Sequence, residues 1–377
     1  MKCNRRGKII AAIDPMDCNL SNLNKLYAAG ADAFSLDFSS GSLEDYARVC
    51  EIIRIIGKKH HTFPTILADL QEFNKTDIEK LSSSALAIRK NKIDWKFITD
   101  LGIDWIVLPP TMSVEDIAEV KDKVNNGAGI VATLDKSSIA NAFEPIVEIS
   151  DAILISNGNI GADSLSADVQ QNIIGICSRL RRPAIIGIQI SESAVSASSS
   201  SPVGSLKLDD TMYMDEDAVM LFIGSLAEKY QYEVVKFVGK AMDGNECNFS
   251  RGKYTKNEAA LPNKNVIDAI CAAAKEAAES SCADIIVLFT GSLETIIRCS
   301  RICVQVPIIL VTESSALASK SGLCRGIYPA ISKKEFNIEQ ICKTAKVIVL
   351  DHGFATAGDL IVVLDDISGN SVIICRL

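Results

Sequence analysis

The chain has 377 residues, is 48% hydrophobic and 23% charged, and carries a formal net charge of -8. Those values exclude a disordered or low-complexity polypeptide, and the acidic sign argues against a nucleic-acid surface, which is normally basic. No apolar stretch reaches the roughly 18 residues of a membrane span, and the opening residues run straight into a strand-like segment, so neither a membrane partner nor a secretory leader is expected. The 12 cysteines are scattered without a CxxC spacing, which points to free, mostly buried thiols and a cytoplasmic location.

In chain order, short runs rich in Ile, Val and Ala alternate with longer amphipathic stretches. The runs are Lys8–Ile13, Ala33–Phe38, Pro64–Asp69, Asp104–Leu108, Gly129–Leu134, Ala152–Ser156, Ala184–Ile188 and Ala218–Leu221. Their near-continuous hydrophobicity predicts parallel strands buried on both faces, and their spacing is that of a (β/α)8 barrel of about 250 residues. Between them, Leu20–Ala29 reads as a helix ending at Gly30. Leu43–Ile56 and Val114–Val124 read as helices capped by Ser42 and Ser113. The Ser/Ala-rich Ser193–Ser205 reads as a loop on the rim of the barrel.

After the eighth run, Glu228–Met242 is a predicted helix. It closes a barrel domain over residues 1–242, followed by a polar linker over 243–264 and a smaller α/β sheet domain over 265–377. In that last domain Val266–Ser280, Leu293–Cys303, Ser314–Ser321 and Phe336–Ala345 read as helices. Asp284–Phe289, Pro307–Val311, Ile327–Pro329 and Val347–Leu350 read as strands, and Leu360–Leu364 with Ser371–Arg376 as a closing hairpin. The fold class is therefore α/β: a TIM barrel with a C-terminal sheet domain.

Several motifs stand in a telling order: Leu36-Asp37-Phe38-Ser39-Ser40-Gly41, Ala68-Asp69-Leu70-Gln71, the run from Asp151 to Gly161, the run from Arg182 to Ser193, Asp217-Ala218-Val219-Met220-Leu221, the run from Leu288 to Thr295 with Pro307–Thr312 after it, and Arg325-Gly326-Ile327-Tyr328-Pro329. Together they resemble the pyruvate kinase family, in its order and over nearly the whole chain. The resemblance implies phosphoryl transfer from phosphoenolpyruvate to ADP with Mg²⁺ and K⁺. It also implies a lid domain between the third and fourth strands, where this chain has only residues 72–100.

Phosphoryl transfer is catalysed by positioning and by cations that neutralise the moving charge. The resemblance places Thr133 where the family has a lysine, Ser35 where it has an arginine, and Ile188 where it has a substrate-touching threonine, so three donors are replaced. For the divalent metal it implies Asp135 and Asn159, a weakened Mg²⁺ site because one ligand is neutral. For a monovalent cation it implies Asp37, Ser39 and Asp69. Each Asp at a strand end also suits the plainer role of capping the next helix. Thr290, Ser292 and Thr295 are similar to the family's effector-phosphate loop, which implies a sugar-phosphate effector; the alternative there is a capping box without ligand. His60, His61 and His352 are not placed for acid–base work.

These losses predict a catalytically impaired, regulatory or structural subunit in a pyruvate kinase oligomer, with an active paralogue or a second copy as partner. A divergent active pyruvate kinase and a small-molecule sensor are the alternatives.

Overall fold

The computed structural model describes residues 5–39, 41–71, 86–88, 91–93, 95–110, 112–125, 127–139, 143–156, 165–190, 216–248, 265–302, 306–332, 338–367 and 369–377. The chain divides into one unit of Gly7–Asn248 and a second of Phe249–Leu377 joined by Met1–Arg6.

In the first unit the strands are β1 (Lys8–Ile13), β2 (Ala33–Asp37), β3 (Thr65–Asp69), β4 (Leu86–Ile88), β5 (Asn91–Ile93), β6 (Trp105–Leu108), β7 (Gly129–Leu134), β8 (Ala152–Ser156), β9 (Ala184–Gln189) and β10 (Ala218–Phe222). The eight predicted runs are the eight strands of a closed barrel, ordered β1-β10-β9-β8-β7-β6-β3-β2, while β4 and β5 form a separate antiparallel pair. The neighbours in the barrel are parallel. Successive strand residues face opposite sides. Phe34 and Leu36 of β2, Ala132 and Leu134 of β7, and Ile186 and Ile188 of β9 share one core with the helix residues Leu23, Leu26, Ile53 and Ile117. The alternate residues Ser35, Thr133, Gly187 and Gln189 therefore face the barrel interior. Trp105 is fully buried on β6. Its register partner Gly129 leaves it room, since a Cβ there would collide with the indole ring.

The helices start where the serines predict. Ser42 and Ser113 each close a capping box, with Asp45 and Asp116 as the returning side chains. The first of these helices runs over Leu43–His60, one turn past the predicted end, and stops at His61 in the left-handed conformation. The last helix of the unit, Glu228–Asn248, takes in the first residues of the predicted linker; residues 249–264 of that linker lie outside the described residues, as do 72–85 of the short segment after β3.

The floor of the barrel repeats one device. The backbone N–H groups of Ile9, Ile66, Ile130 and Ala184 donate to carboxylates of Asp32, Asp104, Asp151 and Asp217 at 2.9, 2.8, 2.9 and 2.8 Å. The same aspartates donate their own N–H to the carbonyls of the same four residues at 2.8, 2.9, 2.9 and 2.9 Å. Each aspartate immediately precedes a strand (β2, β6, β8 or β10) and is clasped to the strand before it. Arg54 and Lys121 add ion pairs to Asp104 and Asp151 at 3.2 and 2.7 Å.

In the second unit β11 (Ile285–Phe289), β12 (Ile308–Thr312), β13 (Ile327–Ile331), β14 (Leu360–Asp365) and β15 (Ser371–Arg376) form one sheet ordered β13-β12-β11-β14-β15, antiparallel only at β14–β15. The helices are Val266–Ser281, Leu293–Ile302, Ser315–Lys320 and Ile338–Asp351. Residues 5 and 6 belong here, for their carbonyls accept from Tyr328 Oη and Gly326 N at 3.0 and 2.9 Å. One predicted strand is corrected: Val347–Leu350 is the end of the helix Ile338–Asp351. Its β-branched residues suit a strand, but Ile341, Ala345 and Val349 are buried at four-residue spacing while Val347 and Leu350 are exposed, and tertiary burial outweighs propensity.

Candidate active-site mouth and effector loop

The C-terminal rim of a (β/α)8 barrel carries the chemistry of such folds. Here the described strand ends supply Asp14 after β1, Asp37 and Ser39 at the end of β2, Asp69 on β3, Thr133 and Asp135 at β7, Ser156 on β8 and Gln189 on β9. Among the described residues at these ends the one cation is Lys136, which follows Asp135 and is exposed. Among the described strand ends four carboxylates stand against a single ammonium, a local balance that favours a cation over a multiply charged phosphate.

Two neutral oxygens lie below the rim. Ser35 and Thr133 are 0% and 3% exposed, and neither hydroxyl has a hydrogen-bond partner among the described residues. An unpaired buried hydroxyl is energetically unfavourable, so both are poised for a ligand or water in the barrel interior. Ile188 faces away from the barrel interior. It packs in the core between barrel and helices, and its neighbour Gln189, exposed at the end of β9, is the side chain on the interior side.

The structure brings Asp37 and Asp69 together as register partners on adjacent strands. Asp37 Oδ1 accepts from Ser39 N at 2.7 Å, and Asp69 accepts from the backbone and side chain of Gln71 at 3.0 and 2.9 Å. Both therefore shape their own loops as well as the rim. Asp135 opens the one-turn helix Lys136–Ile139, accepting from Ile139 N through its carbonyl at 3.1 Å. Asn159 lies outside the described residues, as do Ser40, the glycines at 158 and 161, and the loop 193–205. Among the described residues no three His, Cys, Asp or Glu side chains come together in a metal-holding group. Mg²⁺ is usually held by one or two carboxylates with water and substrate oxygens, and of the expected pair the described residues contain Asp135 alone.

The threonine hydroxyls of the loop after β11 are bonded within the domain. Thr290 and Thr295 are both 0% exposed. Their hydroxyls donate to the same oxygen, Asp366 Oδ2, at 2.8 and 2.6 Å. Thr290 Oγ1 also accepts from Ser292 N at 3.0 Å, and Ser292 Oγ accepts from Thr295 N at 3.3 Å, capping the helix Leu293–Ile302. An internal carboxylate thus takes the hydroxyl donors that a bound phosphate would need. Asp366 is the residue of this loop cluster that sequence reasoning missed. The signal was the pair Asp365-Asp366 at the end of an apolar strand, but using it requires the sheet order, in which Asp365 is the register partner of Phe289.

Comparison with known proteins bears on both sites. Residues 268–372 match the family model described as pyruvate kinase, alpha/beta domain. A pyruvate kinase of Agrobacterium vitis is 25% identical, with 97% of this chain and 95% of that protein covered. One from Haemophilus influenzae is 23% identical with 95% of each covered, and one from Schizosaccharomyces pombe is 26% identical with 69% of this chain and 52% of that protein covered. The first alignment runs over 453 positions, more than the 377 residues present here, so that relative carries stretches without a counterpart in this chain. Among the described residues no helix is long and apolar enough to cross a membrane.

Proposed function

The chain belongs to the pyruvate kinase family, and on that premise we propose that it is a catalytically impaired member acting as a regulatory or structural subunit of a glycolytic pyruvate kinase oligomer. The observation that carries this reading is the charge of the barrel mouth. Where the resemblance calls for a lysine on β7 there is Thr133, a buried neutral hydroxyl, and the described strand ends around it are acidic. A hydroxyl does not neutralise a phosphoryl group in flight, and loss of one oriented donor typically lowers a rate by about 10²–10³. The length mismatch with full-length relatives supports the absence of a lid domain. Without one, the mouth lacks the means to exclude water over the reacting groups.

Family members are generally dependent on Mg²⁺ and K⁺. When bound, these ions supply charge neutralisation for the transferred phosphoryl group. In this chain Asp135 with Asn159 would hold the first, and Asp37, Ser39 and Asp69 the second. The adjacent carboxylates of Asp37 and Asp69 favour a monovalent cation at the rim. The divalent set, one carboxylate and one neutral amide, is the weaker of the two. The partner in the oligomer is a full-length pyruvate kinase with its cationic residues intact, or a second copy of this chain.

The test is twofold. Purified chain supplied with phosphoenolpyruvate, ADP, Mg²⁺ and K⁺ forms no ATP above background. Co-expression with a full-length pyruvate kinase of the same organism recovers both chains in one complex of fixed stoichiometry. Turnover that disappears in Asp135→Ala would establish instead the second reading, a divergent active enzyme, which the retained Asp37, Asp69 and Asp135 favour. A thermal shift with a sugar bisphosphate that is lost in Ser292→Glu would favour a sensor.

A further inference from the structure

The C-terminal domain holds two thiols in direct contact. Cys342 lies on the helix Ile338–Asp351 and Cys375 on β15, and Cys375 Sγ donates to Cys342 Sγ at 3.0 Å. We propose that Cys342 and Cys375 are a thiol-oxidation site, closing to a reversible intrachain disulfide on exposure to a peroxide.

Geometry and accessibility both support it. A disulfide has an S–S length of about 2.05 Å, so closure requires an approach of about 1 Å, within reach of side-chain rotation on two packed elements. Cys342 and Cys375 are each partly exposed, whereas Cys18, Cys50, Cys177, Cys271, Cys299 and Cys324 are buried and Cys282 is exposed. Burial pushes the thiols of Cys18 and Cys50 up to about 12, which keeps them protonated and inert. At the proposed site burial, and then donation to Cys342, push Cys375 up to about 12, with the Lys346 ammonium opposing. Cys375 therefore keeps its proton, and the first attack is assigned to Cys342, the sulfur that accepts the Cys375 S–H.

The reaction balances in two steps. The Cys342 thiolate attacks one peroxide oxygen, the O–O bond breaks, and the hydroxide released takes up a proton as water, leaving a sulfenic acid on Cys342. The Cys375 thiol then attacks the Cys342 sulfur and passes its proton to the departing hydroxide; the S–S bond forms, the S–O bond breaks and a second water leaves. Peroxide is reduced and the two thiols are oxidised. An external dithiol reverses the bond by exchange and is itself oxidised. Because β15 is the end strand of its sheet, held on one edge by β14, the new bond ties it to the helix and closes a loop between positions 33 apart.

The experiment uses the full reduced chain. It is treated with hydrogen peroxide, its remaining thiols are alkylated, and the digest is mapped by mass spectrometry. The expected result is a linked peptide pair containing Cys342 and Cys375, removed by dithiothreitol, with Tm raised by several degrees in the oxidised wild type. In Cys375→Ser the sulfenic acid on Cys342 has no partner and labels more strongly with dimedone. Full alkylation of Cys342 and Cys375 after peroxide, or equal dimedone labelling of wild type and Cys375→Ser, would overturn the proposal. The wild-type map decides by itself if the variant does not fold.

Discussion

Asp366 shows how one side chain changes the meaning of a loop. Thr290 and Thr295 both donate to it, so a free anion must displace a carboxylate already in place. In Asp366→Ala two buried hydroxyls lose a charged acceptor, which should lower the stability of the C-terminal domain by about 1–3 kcal/mol in urea denaturation. The same variant should gain a thermal shift with inorganic phosphate that the wild type lacks, because the donors are then available. Gly129 makes a different residue-scale prediction. A methyl group there meets the Trp105 indole, and Gly129→Ala should destabilise the barrel by about 1–3 kcal/mol through overpacking, read from the shift in urea midpoint at constant slope.

Among the elements, the helix Leu43–His60 offers a pH test. The hydroxyl and backbone amide of Ser42, and then the Arg48 guanidinium, hold the Asp45 carboxyl down from 3.8 to about 2. A depressed carboxylate contributes its full stabilisation above its unfolded value and loses it as pH falls through the folded one. The capping box should therefore persist at pH about 4 and open only as pH approaches about 2. The Asp45 amide resonance in NMR would report a midpoint near the lower value; a midpoint near 4 would mean the box is not formed. The clasps at the barrel floor belong to this scale too. Asp104→Ala strips an acceptor from Ile66 N and an ion-pair partner from Arg54. It should lower the unfolding free energy by about 1–3 kcal/mol, mainly through the buried N–H left unpaired.

For the whole molecule, the barrel was legible because strands buried on both faces must be apolar throughout, and Lys8–Ile13 or Ala184–Gln189 have no other reading. The floor clasps were not. Their sequence trace is an aspartate directly ahead of Ala33, Trp105, Ala152 and Ala218, yet each bond reaches a residue on the preceding strand, at separations of 23, 38, 21 and 33. The strands were readable as neighbours from the (β/α)8 order, but the register that brings each carboxylate back onto one particular N–H was not. The candidate mouth divides in the same way. Asp37 and Asp69 were readable as strand-end carboxylates, and their pairing follows from the order β2–β3. The outward placement of Ile188 follows from the pleat of β9, which a motif match over single letters does not carry. Val347–Leu350 misled because β-branched residues continue a helix whose other face is packed.

The four aspartate rings share no residue: they join Ile9 to Asp32, Ile66 to Asp104, Ile130 to Asp151 and Ala184 to Asp217. The carboxylates thus latch the barrel two staves at a time, as four separate pairs, while the Asp32, Asp104 and Asp217 carbonyls accept from Thr65, Gly129 and Lys8 N–H across three of the other seams. Damage to one latch stays local, and a double variant such as Asp32→Ala with Asp151→Ala should lose the sum of the single losses to within about 0.5 kcal/mol. The seams without latches, β2–β3, β6–β7, β8–β9 and β10–β1, are then where native-state hydrogen exchange should find the cylinder parting first.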